Sequence, residues 1–405
     1  MKPLRLSGLI GIVLLVGVLS AQDGIQKGTI KKVEPTKRSL TITVDGKDLS
    51  LEVTATTKVM TTANQPSTDP FKNQIFTVGA AVLFKADQGV LIGIKLGVGK
   101  QTPPAPPKVD LAKLVPLNEL GRKDYQGHKG GFYPDGENER PKVHEAAGLN
   151  LAKQVQPLNA DGKHDPQGKI VFLSVGMSNT SQASQAFYKV LAAESDRNPQ
   201  LVFVNGAVGG MTASRIQNPD NADGAKYWST IDLRLKDVKL TRAQVQVIWI
   251  KEADAGPDEG FPGYAKKLEG ELARIVQLLP KRYPNVKLVY LSSRTFGGYA
   301  KTLLNPEPYA YESGFSVKWL IERQFKGEAD LNYDSAKGEV KAPWLSWGPY
   351  LWANGTTKRA DGFSYDVTDF AADGTHHSPA GSEKVARHML QFFKNDTTTK
   401  SWFVR

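Results

Sequence analysis

Cysteine is absent from all 405 residues, which removes disulfides, thiolate zinc sites and cysteine nucleophiles from the available chemistry. The fold must therefore rest on its core alone. Histidine is scarce too: His128, His144, His164, His376, His377 and His388 are the only six. No apolar run reaches the roughly 20 residues that span a bilayer. Basic residues are scattered rather than interleaved with aromatics, so no nucleic-acid partner is expected. What is present is an ordinary globular composition, 40% hydrophobic and 23% charged, which excludes a disordered tail, a collagen and a polytopic membrane protein. The net charge of +11 suits acidic polymers, anionic envelopes or simple solubility. At roughly 150 residues per domain, two or three domains are expected.

Residues 1–21 have the charged, apolar, small-residue order of a secretory signal: Met1-Lys2-Pro3-Leu4-Arg5, an apolar run from Leu9 to Leu19, then Ser20-Ala21. Cleavage near Ala21 or Gln22 is expected, with an uncleaved anchor as the alternative. No cysteine follows the run, which excludes a lipoprotein anchor. A periplasmic or secreted protein is expected, with no stable membrane span after cleavage.

Residues 28–98 alternate apolar and polar in short runs, and Asp45-Gly46 between two of them signals a hairpin. The expectation is a small all-β barrel of five or six strands. It resembles the small β-barrel domains of uncharacterised bacterial exported proteins. A proline-rich linker follows over residues 99–109, stiff and extended.

From residue 110 to 405, apolar strand runs alternate with helical periodicity, which argues for a parallel sheet covered by helices on both faces. Strands are predicted at Lys169–Val175, Leu201–Val204, Val245–Ile250 and Lys287–Leu291, with helices at Ser184–Glu194 and Tyr264–Leu279. A last helix begins at Ser378-Pro379 and presents Val385, Met389 and Phe392 on one face.

Ligands of open parallel sheets bind beyond the carboxyl ends of the strands, and three loops there stand out. The first strand ends in Gly176-Met177-Ser178-Asn179, making Ser178 a candidate nucleophile or a helix cap. The second ends in Asn205-Gly206-Ala207-Val208-Gly209-Gly210, where glycine admits backbone N–H groups to a reacting oxygen or simply makes a tight turn. The third is Asp373-Gly374-Thr375-His376-His377, where an acid three residues before a histidine can orient an imidazole that takes a serine proton. A polar capping turn and a metal site built on the His pair are the alternatives for this loop. The segment from Ser292 to Trp352, rich in Trp, Tyr and Gly, reads as a sugar-binding surface or as a sealing lid. Tyr125 to Glu145 reads as another ordered loop near the site.

Thr180 stands two residues after Ser178, so the Gly-x-Ser-x-Gly elbow of α/β-hydrolases is disfavoured. The order Ser178, then glycines, then Asp373-x-x-His376 resembles the SGNH hydrolase (GDSL-like esterase) superfamily. Ser178-Asn179 is similar to the carbohydrate and sialate O-acetylesterase branch. The resemblance implies a three-layer α/β/α flavodoxin-like domain and a serine esterase acting on acyl esters of a small molecule or polysaccharide, acetyl esters among them. It implies Ser178, Asp373 and His376 as the catalytic set, and Ser178 N–H and Gly210 as oxyanion donors. No metal and no organic cofactor are implied. Arg294, after a strand end, is expected with Asn179 to contact substrate. The third block departs from the family's pattern, since Asp254 falls where an asparagine usually serves the oxyanion, and a carboxylate donates nothing unless protonated. The alternative is therefore a carbohydrate- or envelope-binding protein that keeps the fold with impaired turnover.

Overall fold

The computed structural model describes residues 24–60, 66–67, 71, 76, 78–96, 109–257 and 259–405. The signal-like segment and nearly all of the proline-rich linker lie outside the described residues. The chain divides between Pro104 and Ala105 into two compact units.

The first unit is built from β1 (Gln26–Glu34), β2 (Ser39–Val44), β3 (Lys47–Glu52), β4 (Lys58–Met60), β5 (Pro66–Ser67), β6 (Ala81–Asp87) and β7 (Val90–Leu96). Asp45 and Gly46 both take positive φ between β2 and β3, as do Gln88 and Gly89 between β6 and β7, the backbone of two-residue hairpin turns that match strand twist. Pairings β3-β2-β1-β6-β7 run antiparallel, and a β3–β7 contact at Glu52 and Val90 closes the ring into a five-stranded barrel. Ile30, Leu40, Ile42, Phe84, Leu91 and Ile94 fill its core. Gly28 is required at one crossing, where a Cβ would meet Thr43 O at 2.8 Å.

The second unit contains a five-stranded parallel sheet: β8 (Ile170–Gly176), β9 (Leu201–Asn205), β10 (Val245–Lys251), β11 (Leu288–Ser292) and β12 (Trp344–Trp347). The spatial order β9-β8-β10-β11-β12 is the 2-1-3-4-5 arrangement of flavodoxin-like folds. Every residue of β8 and β10 is buried, so both faces are covered, which explains runs that are apolar without alternation. The covering helices are α1 (Lys142–Ala152), α2 (Ser178–Ala192), the short α3 (Ala213–Ile216), α4 (Ala222–Asp237), α5 (Gly263–Arg282), α6 (Tyr309–Phe325) and α7 (Pro379–Asn395). α2 packs beside α7, and α5 beside α6. The architecture is the expected three-layer α/β/α domain.

Several local expectations shift. α2 begins at Ser178 rather than at Ser184, because its first turn is polar and carries no apolar periodicity. Ser378 caps α7 as expected, accepting the Gly381 N–H at 3.1 Å, but Phe393 rather than Phe392 completes the buried face with Val385 and Met389. β12, four residues of Trp-Leu-Ser-Trp, is too short to show a period.

Candidate active site

β8 runs into α2 through Gly176, whose Cβ would lie 2.4 Å from Lys251 O and 2.5 Å from Thr180 Oγ1, so only glycine fits between the two strands. This tight passage places Ser178 at the first position of α2 and at the carboxyl edge of the sheet. Ser178 is half-buried there.

The loop before α7 supplies its partners. His376 Nε2 lies 2.8 Å from Ser178 Oγ, and His376 Nδ1 lies 2.5 Å from Asp373 Oδ2. With Nδ1–H donated to the carboxylate, Nε2 is left to accept the Ser178 hydroxyl proton. The other Asp373 oxygen accepts the N–H groups of Thr375 and His376, each at 2.9 Å. Burial pushes the Asp373 carboxyl up, but the His376 hydrogen bond and the two amides outweigh it and hold the group below its ordinary value. Gly374 between them turns with φ +70°. Ser178 is thus joined to Asp373 and His376, which share one loop far along the chain, in a single hydrogen-bonded chain.

The glycine loop after β9 comes close to Ser178 at Gly209, where a Cβ would sit 3.8 Å from Ser178 Cβ; a Cβ on Gly210 would meet nothing within 4 Å. Gly210 takes φ +74°, and its carbonyl accepts from Arg215 Nη1 at 3.0 Å. Ser178, as the first residue of α2, has no helical acceptor for its N–H.

Asn179 and Arg294 are not open to a substrate. Asn179 is 1% and Arg294 3% exposed. Asn179 Oδ1 accepts from Arg294 Nη1 at 2.5 Å and from Lys251 Nζ at 3.1 Å, and its Nδ2 donates to Thr375 O at 3.4 Å. Both side chains brace the site from beneath. Burial, followed by the Arg294 charge, drives the Lys251 amine well below its ordinary value. Lys251 was missed in the sequence reading, although a lysine closing a strand whose last four preceding residues are apolar is a usable signal.

Asp254 is also committed elsewhere. Its carboxylate accepts the Ser214 N–H at 3.0 Å, its own N–H donates to Tyr264 Oη at 3.1 Å, and its carbonyl accepts from Asn305 Nδ2 at 3.1 Å. These bonds give it a role in holding its loop, in place of the expected oxyanion role. Burial, then a hydrogen bond with Asp254, pushes the Glu271 carboxyl on α5 up to about 8 from 4.5. Folded Glu271 therefore keeps a proton that the unfolded chain releases, so its contribution to stability is full below 4.5 and is lost as pH rises toward about 8. Glu271→Gln, which retains a donor for Asp254, is expected to remove this loss, on the order of a few kcal/mol at alkaline pH, and to flatten the curve of Tm against pH. A variant curve parallel to wild type across about pH 5 to 9 would contradict the pairing.

His377 turns away from Ser178: its Nε2 lies 3.2 Å from Thr295 Oγ1. Burial and the charges of Lys251 and Arg294 push the ring well below its ordinary value, toward neutrality. Among the described residues no group of three His, Asp or Glu side chains is arranged to hold a metal ion. The aromatic segment is a seal rather than a sugar platform, since Trp344, Trp347, Tyr350 and Trp352 are all buried. Trp352 Nε1 donates to Glu307 Oε1 at 2.7 Å, and Glu307 holds the Gly297 N–H at 2.8 Å, which anchors the loop after β11. Within Tyr125–Glu145, Phe132 O accepts from Trp347 Nε1 at 2.7 Å, which ties that segment to β12.

No family model and no curated protein matches this chain. Among solved structures it is similar to a Slackia heliotrinireducens protein assigned as an SGNH hydrolase, at 18% identity, covering 56% of this chain and 99% of that one with a TM-score of 0.29. It is likewise similar to a Bacteroides fragilis protein assigned as an acylhydrolase, at 11% identity, covering 62% of this chain and 97% of that one with a TM-score of 0.31. A Cu(II)-containing single-substitution variant of Escherichia coli CusF is similar at 16% identity, covering 20% of this chain and 99% of its own, with a TM-score of 0.14.

Proposed function

We propose that this protein is an exported serine hydrolase of acyl esters, with Ser178 as nucleophile, His376 as base and then acid, and Asp373 as the group that fixes the imidazole tautomer. The observation that carries this reading is the continuous Asp373–His376–Ser178 hydrogen-bonded chain at the carboxyl edge of the sheet. In acylation, Ser178 Oγ bonds to the ester carbonyl carbon while its proton passes to His376 Nε2. The carbonyl oxygen becomes the oxyanion, received by the Ser178 N–H at the positive end of α2 and by the Gly209–Gly210 backbone. Collapse expels the alcohol, which takes the proton from His376. Water, deprotonated by the same imidazole, then attacks the acyl carbon; the bond to Ser178 Oγ breaks, Oγ takes the proton back from His376, and the acid is released.

Acetyl esters of a carbohydrate are the proposed substrate class, on the similarity of Ser178-Asn179 to that esterase branch. The charged, apolar, small-residue order of residues 1–21 supports export to the periplasm or beyond. Among the described residues no helix is long and apolar enough to cross a membrane. Release of p-nitrophenol from p-nitrophenyl acetate by the purified chain, absent in Ser178→Ala, tests the activity. Labelling of Ser178 by an organophosphonate tests the nucleophile. Glycan binding without any turnover would instead favour a binding protein.

The barrel unit is proposed to attach the enzyme to polymer or envelope and to be dispensable for chemistry, because every residue of the hydrogen-bonded chain lies beyond Ala105. A chain beginning at Asp110 is expected to hydrolyse p-nitrophenyl acetate at close to the full-length rate. Loss of activity in a soluble, folded truncation would show that the barrel shapes the site.

A further inference from the structure

Ser178 and His376 come from segments 198 residues apart, yet a proton must pass between them at 2.8 Å. α2 itself supplies the ruler. Asn179 and Gln182 stand one turn apart on this helix, and each reaches the backbone of the histidine loop. Asn179 Nδ2 donates to Thr375 O, on one side of His376. On the other side, Gln182 makes a two-bond clamp with His377: its Oε1 accepts the His377 N–H at 3.2 Å and its Nε2 donates to the His377 carbonyl at 3.3 Å. Only one orientation of the Gln182 amide satisfies both bonds, since a flipped amide would set donor against donor and acceptor against acceptor.

We infer that Gln182 is a positioning residue: its amide clamps the peptide after His376 to the helix that carries Ser178, and so sets the distance between base and nucleophile. The inference rests on Ser178 and His376 being the reacting pair. The Asn179 hold is locked independently by Lys251 and Arg294, so Gln182 is the element of the clamp that can be removed without stranding a buried charge. It is partly exposed, and its loss opens no sealed cavity. The loop keeps its other supports, Ala371 N–H to His376 O at 2.7 Å and Ser378 N–H to Asp369 O at 2.9 Å, so it stays folded but loses its registration to α2.

The test uses the full chain and p-nitrophenyl acetate. Gln182→Met, similar in length but unable to make either bond, is expected to lower kcat about 10- to 100-fold with KM and Tm near wild type. Gln182→Glu keeps an acceptor for the His377 N–H and should fall between the two. Gln185→Ala, whose side chain reaches only Ser181, should leave kcat unchanged. The second readout is independent of turnover: the separation of Ser178 Oγ and His376 Nε2 in a crystal structure of Gln182→Met, expected to open beyond hydrogen-bond reach while the Asp373–His376 bond inside the loop is kept. A wild-type kcat in Gln182→Met overturns the inference, as does a lowered kcat with that separation unchanged. Should the wild-type chain hydrolyse no ester, the proposed function fails while the separation still decides the clamp: widened in Gln182→Met it stands, unchanged it falls.

Discussion

Ser178→Ala and His376→Ala are each expected to reduce ester turnover by about 10⁴-fold or more, with little change in KM, and the double variant to be no worse than either single one. The reason is mechanical rather than additive. Without Ser178 Oγ there is no acyl-enzyme, and without His376 Nε2 the hydroxyl keeps its proton, so either loss ends the same pathway. The residual rate would come from binding and from the donors around the oxyanion. His377→Ala separates this from a general disturbance of the loop: its ring faces Thr295, and the Gln182 clamp grips its backbone, so a loss of no more than about tenfold is expected. Steady-state rates of folded variants decide the matter. Near wild-type turnover in either Ser178→Ala or His376→Ala would remove the assignment, and dependence on His377 in place of His376 would move the base by one residue.

Gly374→Ala is expected to be the most damaging single methyl in the domain. A Cβ at this residue would lie 1.7 Å from Tyr299 O and 2.4 Å from Tyr299 C, and the backbone sits at φ +70°. The obstacle is main chain rather than a rotatable side chain, and Lys301 N–H to Asp373 O at 2.9 Å pins the two strands of backbone together. Neither can yield cheaply. A loss of about 3 kcal/mol or more in stability is expected, or displacement of the loop with about a 100-fold or greater fall in turnover, because Gly374 lies between Asp373 and His376. Chemical denaturation and ester kinetics on the same sample measure both. A variant with wild-type stability and rate would mean that the loop does not pass Tyr299 as described.

Much of the architecture was legible because its signals are local. Parallel strands buried on both faces read as unbroken apolar runs, a Ser-Pro start announces a helix, and Asp-Gly between alternating runs announces a hairpin. The elements that escaped detection lack such periods. β12 is four residues long, α6 is buried around most of its circumference, and the first turn of α2 is polar because it faces the site. The same limits applied at the site. Ser178, Asp373 and His376 could be named from residue type and place on the strand ends, but side-chain direction could not. Asn179 and Arg294 have the right chemistry to meet a substrate, yet they are buried and hydrogen-bond to each other. Asp254 falls at a plausible position in the chain, yet its carboxylate is taken up by the Ser214 N–H.

By itself, the sequence of this protein determined the absence of thiol chemistry, the division into an all-β unit and a parallel α/β unit, and the three loops from which a nucleophile, a glycine turn and an Asp-x-x-His pair project. Composition, hydrophobic period and turn chemistry act over a few residues, so one chain read in order is enough to reveal them. The tertiary structure alone decided that Ser178 Oγ and His376 Nε2 stand 2.8 Å apart, that Gly209 comes close to the serine, that the tryptophans belong to the core, and that Lys251 bonds Asn179 and Gln182 bonds the His377 backbone from outside any motif. These are matters of direction and distance between segments far apart in the chain. They are settled by how helices pack on the sheet and by which buried polar groups must find partners, and neither is written in the spacing of residues along one segment.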